Sequence, residues 1–259
     1  MLAFLGATSC DQVRDRAEEA REGVEAAVGS DGQTADEGPE LADDGDVGDN
    51  ALIYLRDDVP RLVIEVDAVE GKEPSDASLD HLRSVLASVL DKPGGIEVMP
   101  TEAIGGAEDR YSTGDLRAVE ERRRDTSSDG ESASLYVLVV TGEFADDPQA
   151  LGVAYSASSM AIFRDTVEEA SGFLGSPERV ERSVIVHEAG HMLGLVNIGY
   201  SSPREREDPE HPNHSSNEDS VMFWAVESDA IFQLLDGPGP DDFDEADRDD
   251  LEDLKSGQL

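Results

Sequence analysis

The chain has 259 residues, enough for one large domain or two small ones, and carries 60 acidic against 20 basic residues for a net charge of −40. A surface of that sign repels nucleic acid and anionic lipid, which disfavours both as partners. Cys10 is the only cysteine, so no intrachain disulfide can form, and no apolar run approaches the roughly 18 residues of a membrane-spanning helix.

Only Lys72, Lys92 and Lys255 are lysines. Such an acid-rich, lysine-poor surface resembles that of proteins from extreme halophiles, where molar salt screens self-repulsion. An ordinary acidic secreted protein is the alternative. The first ten residues, an apolar run followed by small residues and Cys10, resemble the end of a lipoprotein signal peptide without its basic region. The expectation is lipidation at Cys10 and an extracellular, surface-anchored protein; a free or buried thiol is the competing reading. Residues 11–50 are acidic and poor in large apolar side chains. They read as a disordered, self-repelling tether in which Gln12 to Val28 forms a solvated helix. The folded domain is expected over 51–259.

Within it, Leu62 to Val66 reads as a strand after Pro60. Pro74-Ser75-Asp76 offers a helix start, and Leu79, Leu82, Val85, Leu86, Val89 and Leu90 follow at helical spacing up to Pro93-Gly94-Gly95. Ile96 to Met99 is a short strand, Thr113 to Arg124 a polar helix and Asp125 to Gly130 a loop. Leu135 to Val140 is continuously apolar, which predicts a strand buried on both faces. Leu151 to Tyr155 and Met160 to Phe163 are two further strands around a Ser-rich turn, and a helix spans Pro177 to Leu195. After Gly237-Pro238-Gly239-Pro240, the run Asp244 to Leu254 reads as a final amphipathic helix. The element order predicts an α+β (α/β-like) fold, with helices packed on a twisted mixed sheet.

The chemistry concentrates in Val186-His187-Glu188-Ala189-Gly190-His191-Met192-Leu193-Gly194. On a helix, residues four apart share a face, so His187 and His191 can hold one metal ion from adjacent turns. Glu188 lies beside them, placed to take a proton from a water activated by the metal. A catalytic zinc usually takes three protein ligands, so a third must come from elsewhere.

This segment resembles the metzincin family of zinc proteases, whose pattern is H-E-x-x-H-x-x-G-x-x-H followed by a methionine-containing turn. His187, Glu188, His191 and Gly194 match it, while Asn197 stands at the third-histidine position. Downstream, His214 to Met222 resembles the archaemetzincin pattern H-C-x-x-x-x-C-x-M, with Ser215 and Ser220 in place of the cysteines. The resemblance implies that His214 is the third zinc ligand and Met222 the Met-turn residue. A long insertion from Leu195 to Asn213 then precedes His214, as leishmanolysin-like members also have at this point. His211 is the rival third ligand; Asp208 and Asn197 are outsiders. The resemblance also implies an upper subdomain (51–194) and a lower one (195–259). Without the cysteines a second, thiolate-based zinc cannot form, so one zinc ion is expected. Phe223-Trp224 follow the methionine where some members carry a tyrosine ligand, which leaves Tyr200 as a substitute. An extended substrate is expected to pair with an edge strand, assigned to Leu151–Tyr155. His81 reads as a surface histidine and Met222 equally well as a core residue.

The expected activity is therefore zinc-dependent peptide hydrolysis by a monomer, with protein or peptide as the partner and membrane contact only through Cys10. A non-catalytic zinc-binding surface module and a zinc hydrolase of another substrate are the alternatives. The charge alone makes one testable prediction. The Debye length shrinks from about 10 Å at 0.1 M salt to about 3 Å at 1 M. The melting temperature should therefore rise by about 5 °C or more between those concentrations of KCl. Calorimetry showing no rise would remove the self-repulsion on which the high-salt reading depends.

Overall fold

The structure, a computed structural model, describes residues 42–106, 108–172, 176–228, 230–231 and 240–259. Cys10, with the expected signal segment and most of the expected tether, lies outside the described residues, as does most of the stretch around Gly237 to Pro240.

The sheet is built on two long parallel strands, β1 (Arg61–Val69) and β5 (Ser132–Val140), in register from Arg61 opposite Ser132 to Ala68 opposite Val139. Side chains along a strand alternate between faces, and β5 is apolar on both. Leu135, Val137 and Val139 enter one core, while Tyr136, Leu138 and Val140 enter a second core on the opposite face. β1 is less even-handed. Leu62, Ile64, Val66 and Ala68 join the first core, whereas Glu65 and Asp67 point the other way and are buried with polar partners. The Glu65 carboxylate accepts from the Asp125 and Thr126 backbone N–H groups and the Thr126 hydroxyl. Asp67 accepts from the Tyr136 hydroxyl at 2.7 Å.

Against the outer side of β1 lie β2 (Ile96–Val98) and, further along, β3 (Glu102–Ile104), both parallel to it. Beyond β5 come β8 (Ser159–Phe163), parallel, and then β7 (Gly152–Ala154), the one antiparallel strand, at the sheet edge. A small separate ribbon pairs β4 (Arg110–Tyr111) with β6 (Glu143–Phe144). This mostly parallel sheet is flanked by six α-helices among the described residues. α1 (Ala51–Leu55), α4 (Arg164–Ser171) and the ribbon go beyond the sequence reading, being too short or too polar to show a period.

α2 (Asp76–Val89) starts where Ser75 caps it, its hydroxyl oxygen accepting from the Ser78 N–H, and buries Leu79, Leu82, Val85, Leu86 and Val89 along one stripe. α3 (Thr113–Arg123) covers the second core with Leu116. α5 (Pro177–Met192) packs into the first core; every residue from Ser183 to Met192 is buried. It ends three residues before the predicted Leu195, because Gly194 takes φ +90° and turns the chain.

The tether differs from expectation at its end. Residues 42–50 fold back onto the domain: Gly45 O accepts from Ala157 N at 2.9 Å, Asp43 O from the Ser158 hydroxyl at 2.7 Å, and Asn50 is buried. Composition reads this stretch as solvated because its contacts use backbone carbonyls and short polar side chains.

The insertion after α5 is pinned to the last helix, α6 (Glu245–Ser256), which opens with a capping box between Asp244 and Asp247. Arg206 is buried against Asp247 and Asp250, and Arg204 pairs with Asp250 and Asp253. Removing one partner of a buried ion pair leaves an uncompensated charge, a loss of about 3–5 kcal/mol. Arg206→Ala should therefore lower unfolding stability by about that amount in urea titration. A change under about 1 kcal/mol, the range of an exposed pair, would show that these contacts do not hold the loop.

Candidate metal centre

α5 sets His187 directly below His191, both buried, with their Nε2 atoms 3.0 Å apart. The third histidine arrives from the far end of the insertion. The His214 ring stacks on His187 at 5.2 Å between centroids and meets His191 edge-on at 5.0 Å. Glu227, at the end of a 3-10 helix over Trp224–Glu227, completes the group. Its Oε1 is 3.0 Å from His214 Nε2 and its Oε2 3.6 Å from His187 Nε2. One donor atom from each of the four residues lies within 4.8 Å of all the others.

The other nitrogen of each imidazole faces a backbone carbonyl: His187 Nδ1 that of Val221 at 2.7 Å, His191 Nδ1 that of Leu195 at 3.0 Å and His214 Nδ1 that of Pro212 at 3.0 Å. A carbonyl only accepts, so each Nδ1 carries a proton and each ring turns its Nε2 inward. Hydrogen bonding of this kind orients histidines that ligate metals. Three lone pairs and a carboxylate facing one another repel unless a cation lies among them. His214 Nε2, although near Glu227, has no partner in hydrogen-bond geometry among the described residues. The residues present therefore fit a divalent metal, and nitrogen donors with a carboxylate suit zinc.

Burial, together with the neighbouring His187 and His214, holds the proton affinity of His191 well below the ordinary histidine value, as a ligand nitrogen requires. Burial also pulls His214 down, but the Glu227 carboxylate and nearby carbonyls outweigh it and raise the group. Glu227 shows the counterpart: burial pushes it up, yet His214 and His187 hold it well below the usual carboxylate range.

Glu188 is buried on the same helix. Its Oε2 accepts from Ala154 N at 2.7 Å, tying it to edge strand β7, while its Oε1 has no hydrogen-bond partner among the described residues. Burial and the charge of Glu227 push its carboxyl well above the ordinary range. β7 approaches so closely that a Cβ on Gly152 would lie 2.8 Å from Glu188 Oε1.

Met222 sits under the histidines in a tight turn closed by Phe223 N to Ser220 O at 3.1 Å. Its Sδ fills the space where a Cβ on Gly190 would lie, so glycine is required between the two histidines. Ser220 accepts from Met222 N and donates to Asp247.

The structure does not bring His211 into the group. It stacks on Trp224 at 4.3 Å between centroids, with Nδ1 3.0 Å from Asp208. Asn197 donates to Glu207, and the Tyr200 hydroxyl lies 3.4 Å from Asp250. His81 is half-buried rather than at the surface, its ring nitrogen 2.6 Å from Asp241 O. Sequence reasoning missed Glu227. No spacing rule singles it out among 60 acidic residues.

The arrangement, an H-E-x-x-H helix under an edge strand with a returning histidine and a methionine turn beneath, is metzincin-like. No family model and no curated protein matches the sequence. Among solved structures, the chain is similar to archaemetzincin from Methanopyrus kandleri, with a TM-score of 0.45 and 14% identity over 74% of this chain and 93% of that one. It is also similar to metalloproteinase-II from Bacteroides fragilis, with a TM-score of 0.40 and 14% identity over 93% of this chain and 70% of that one. Both likenesses are distant, and the site stands on its own geometry.

The placement of the two downstream histidines predicts unequal effects on metal content. His214→Ala should lose most of its zinc after dialysis, and His211→Ala should keep it, as read by elemental analysis. Loss only in His211→Ala would reverse the assignment.

Proposed function

We propose that the protein is a zinc-dependent endopeptidase. The observation that carries this reading is the convergence of three backbone-anchored imidazoles on one point beside a buried carboxylate, Glu188, tethered to an open sheet edge. His187, His191 and His214 would hold the ion. Bound there, zinc supplies Lewis acidity that polarises a carbonyl and lowers the pKa of water to about 7.

The rest falls to the chain. Among the described residues no strand lies beyond β7 in the sheet, so an extended peptide can add to it as a further strand and be held across the site. Ala154 N–H fixes one oxygen of Glu188 and leaves the other free to face the attacking water. A carboxyl whose proton affinity is raised by burial takes that proton more readily than an exposed one. It then delivers the proton to the departing amine. Met222 and Gly190 keep the two helix histidines at a fixed height beneath the strand. We further propose that the protein works as a monomer in high salt outside the cell, tethered through a lipidated Cys10, and binds no nucleic acid.

A second reading, a non-catalytic zinc-binding module, is favoured by one observation: with Glu227 the site has four protein donors, the number found in closed structural sites. Glu188 weighs against it, because a buried carboxyl with a free oxygen serves no purpose in a purely structural site. Peptide hydrolysis in molar salt, with and without chelator, tests the proposal. Glu188→Gln should keep its zinc and lose about 10²-fold or more of the rate, the usual share of a general base. Undiminished hydrolysis by the variant would sink the protease reading.

A further inference from the structure

We infer that Glu227 is a fourth, displaceable ligand of the same ion, closing the three-histidine site until an incoming ligand pushes its carboxylate aside. This rests on the zinc site proposed above.

The first ground is the pairing of acceptors. His187 and His214 both have Nδ1 on a backbone carbonyl, so their Nε2 atoms are the ones turned toward the shared point. Glu227 brings its two oxygens to those two nitrogens, one each, at 3.6 and 3.0 Å. Oxygen and nitrogen lone pairs at such distances are reconciled by a shared cation. Glu227 thus belongs to the donor set as directly as the histidines do.

The second ground is the position. A hydrolytic zinc keeps one place for water or substrate, and the carboxylate stands in that place. The free Oε1 of buried Glu188 marks the centre as one built for proton transfer, so the fourth donor has to leave during turnover. Glu227 is the donor best able to do so. Its side chain is 33% exposed, against 0% for His187 and 12% for His214.

The third ground is the link to the substrate edge. The Glu227 carbonyl accepts from Leu151 N at 2.8 Å, and Ala150 bridges to Ser228. The backbone carrying the carboxylate is therefore stitched to the residues that lead into β7. A peptide pairing with β7 arrives beside the group it must displace.

Cobalt(II) replaces zinc as a visible reporter of coordination. The wild type, Glu227→Gln, Glu227→Ala and His191→Ala proteins are compared by absorption spectrum and by zinc affinity in competition with a chromophoric chelator. Acetohydroxamate serves as the added ligand. Melting curves of the metal-free proteins establish that the variants fold, with the isosteric Glu227→Gln as the safeguard. Both Glu227 variants should change the cobalt spectrum, weaken zinc binding about tenfold or more, and respond to acetohydroxamate at lower concentration than the wild type. Spectra, affinity and acetohydroxamate response identical to wild type in both Glu227 variants, with metal lost in His191→Ala, would overturn the inference and leave the zinc site standing. Metal binding unaffected in all three variants would overturn the zinc site itself.

Discussion

The hydrogen bond between His187 Nδ1 and the Val221 carbonyl, 2.7 Å long and fully buried, joins the two halves of the site. It fixes the tautomer of a helix histidine and, in the same contact, docks the turn beneath that helix. Three consecutive residues of the turn each make one such attachment. Ser220 donates to Asp247 on α6, Val221 orients His187, and Met222 packs on Gly190. A net buried hydrogen bond contributes only about 1 kcal/mol, but leaving its partners unpaired costs about 1–3. The turn is thus held in one position by several small penalties, and the histidines inherit its precision.

Charge balance explains why this centre calls for a cation. In a chain of net charge −40, every buried carboxylate is a liability. Most are visibly compensated: Asp247 and Asp250 by Arg206, Glu181 by Arg164, Glu65 by two N–H groups and a hydroxyl, Asp67 by the Tyr136 hydroxyl. Among the described residues, buried Glu188 and the one-third-exposed Glu227 have no arginine or lysine partner. Glu188 has a single N–H, and Glu227 has only the imidazoles of His187 and His214. Glu188 and Glu227 lie together at the cluster of inward-facing ring nitrogens. A divalent ion there would supply the compensation that basic side chains supply elsewhere.

Much of this was legible in the chain, and what was not has a common cause. β5 announced itself because both of its faces are apolar, and His187, Glu188 and His191 because a helix converts spacing into proximity. His214 and Met222 emerged only through their resemblance to a known pattern, since no local period links them to α5. The carbonyls of Leu195, Pro212 and Val221 and the N–H of Ala154 were invisible. Every residue carries such groups, and only the fold selects which ones matter. Residues 42–50 and Glu227 were hidden by composition: in so acidic a chain, a carboxylate that binds looks like one that is merely solvated.

The loop after α5 shows how the chain brings His214 back to the helix histidines. Asn197 stands where the third histidine is expected, at φ +61°, and donates through Nδ2 to Glu207. The other oxygen of Glu207 accepts from Asn213 N at 2.9 Å, and Val196 N reaches Asn213 O at 3.3 Å. One glutamate therefore clamps the two ends of the loop together. Closing a loop costs entropy only logarithmically in its length, so the added residues weigh little once the base is fastened. The next residue after the clamp is His214. The loop leaves the helix at Asn197, runs out to α6, where Arg204 and Arg206 hold it, and returns to where it left. Asn197 serves closure of the loop, and His214 follows one residue beyond the clamp.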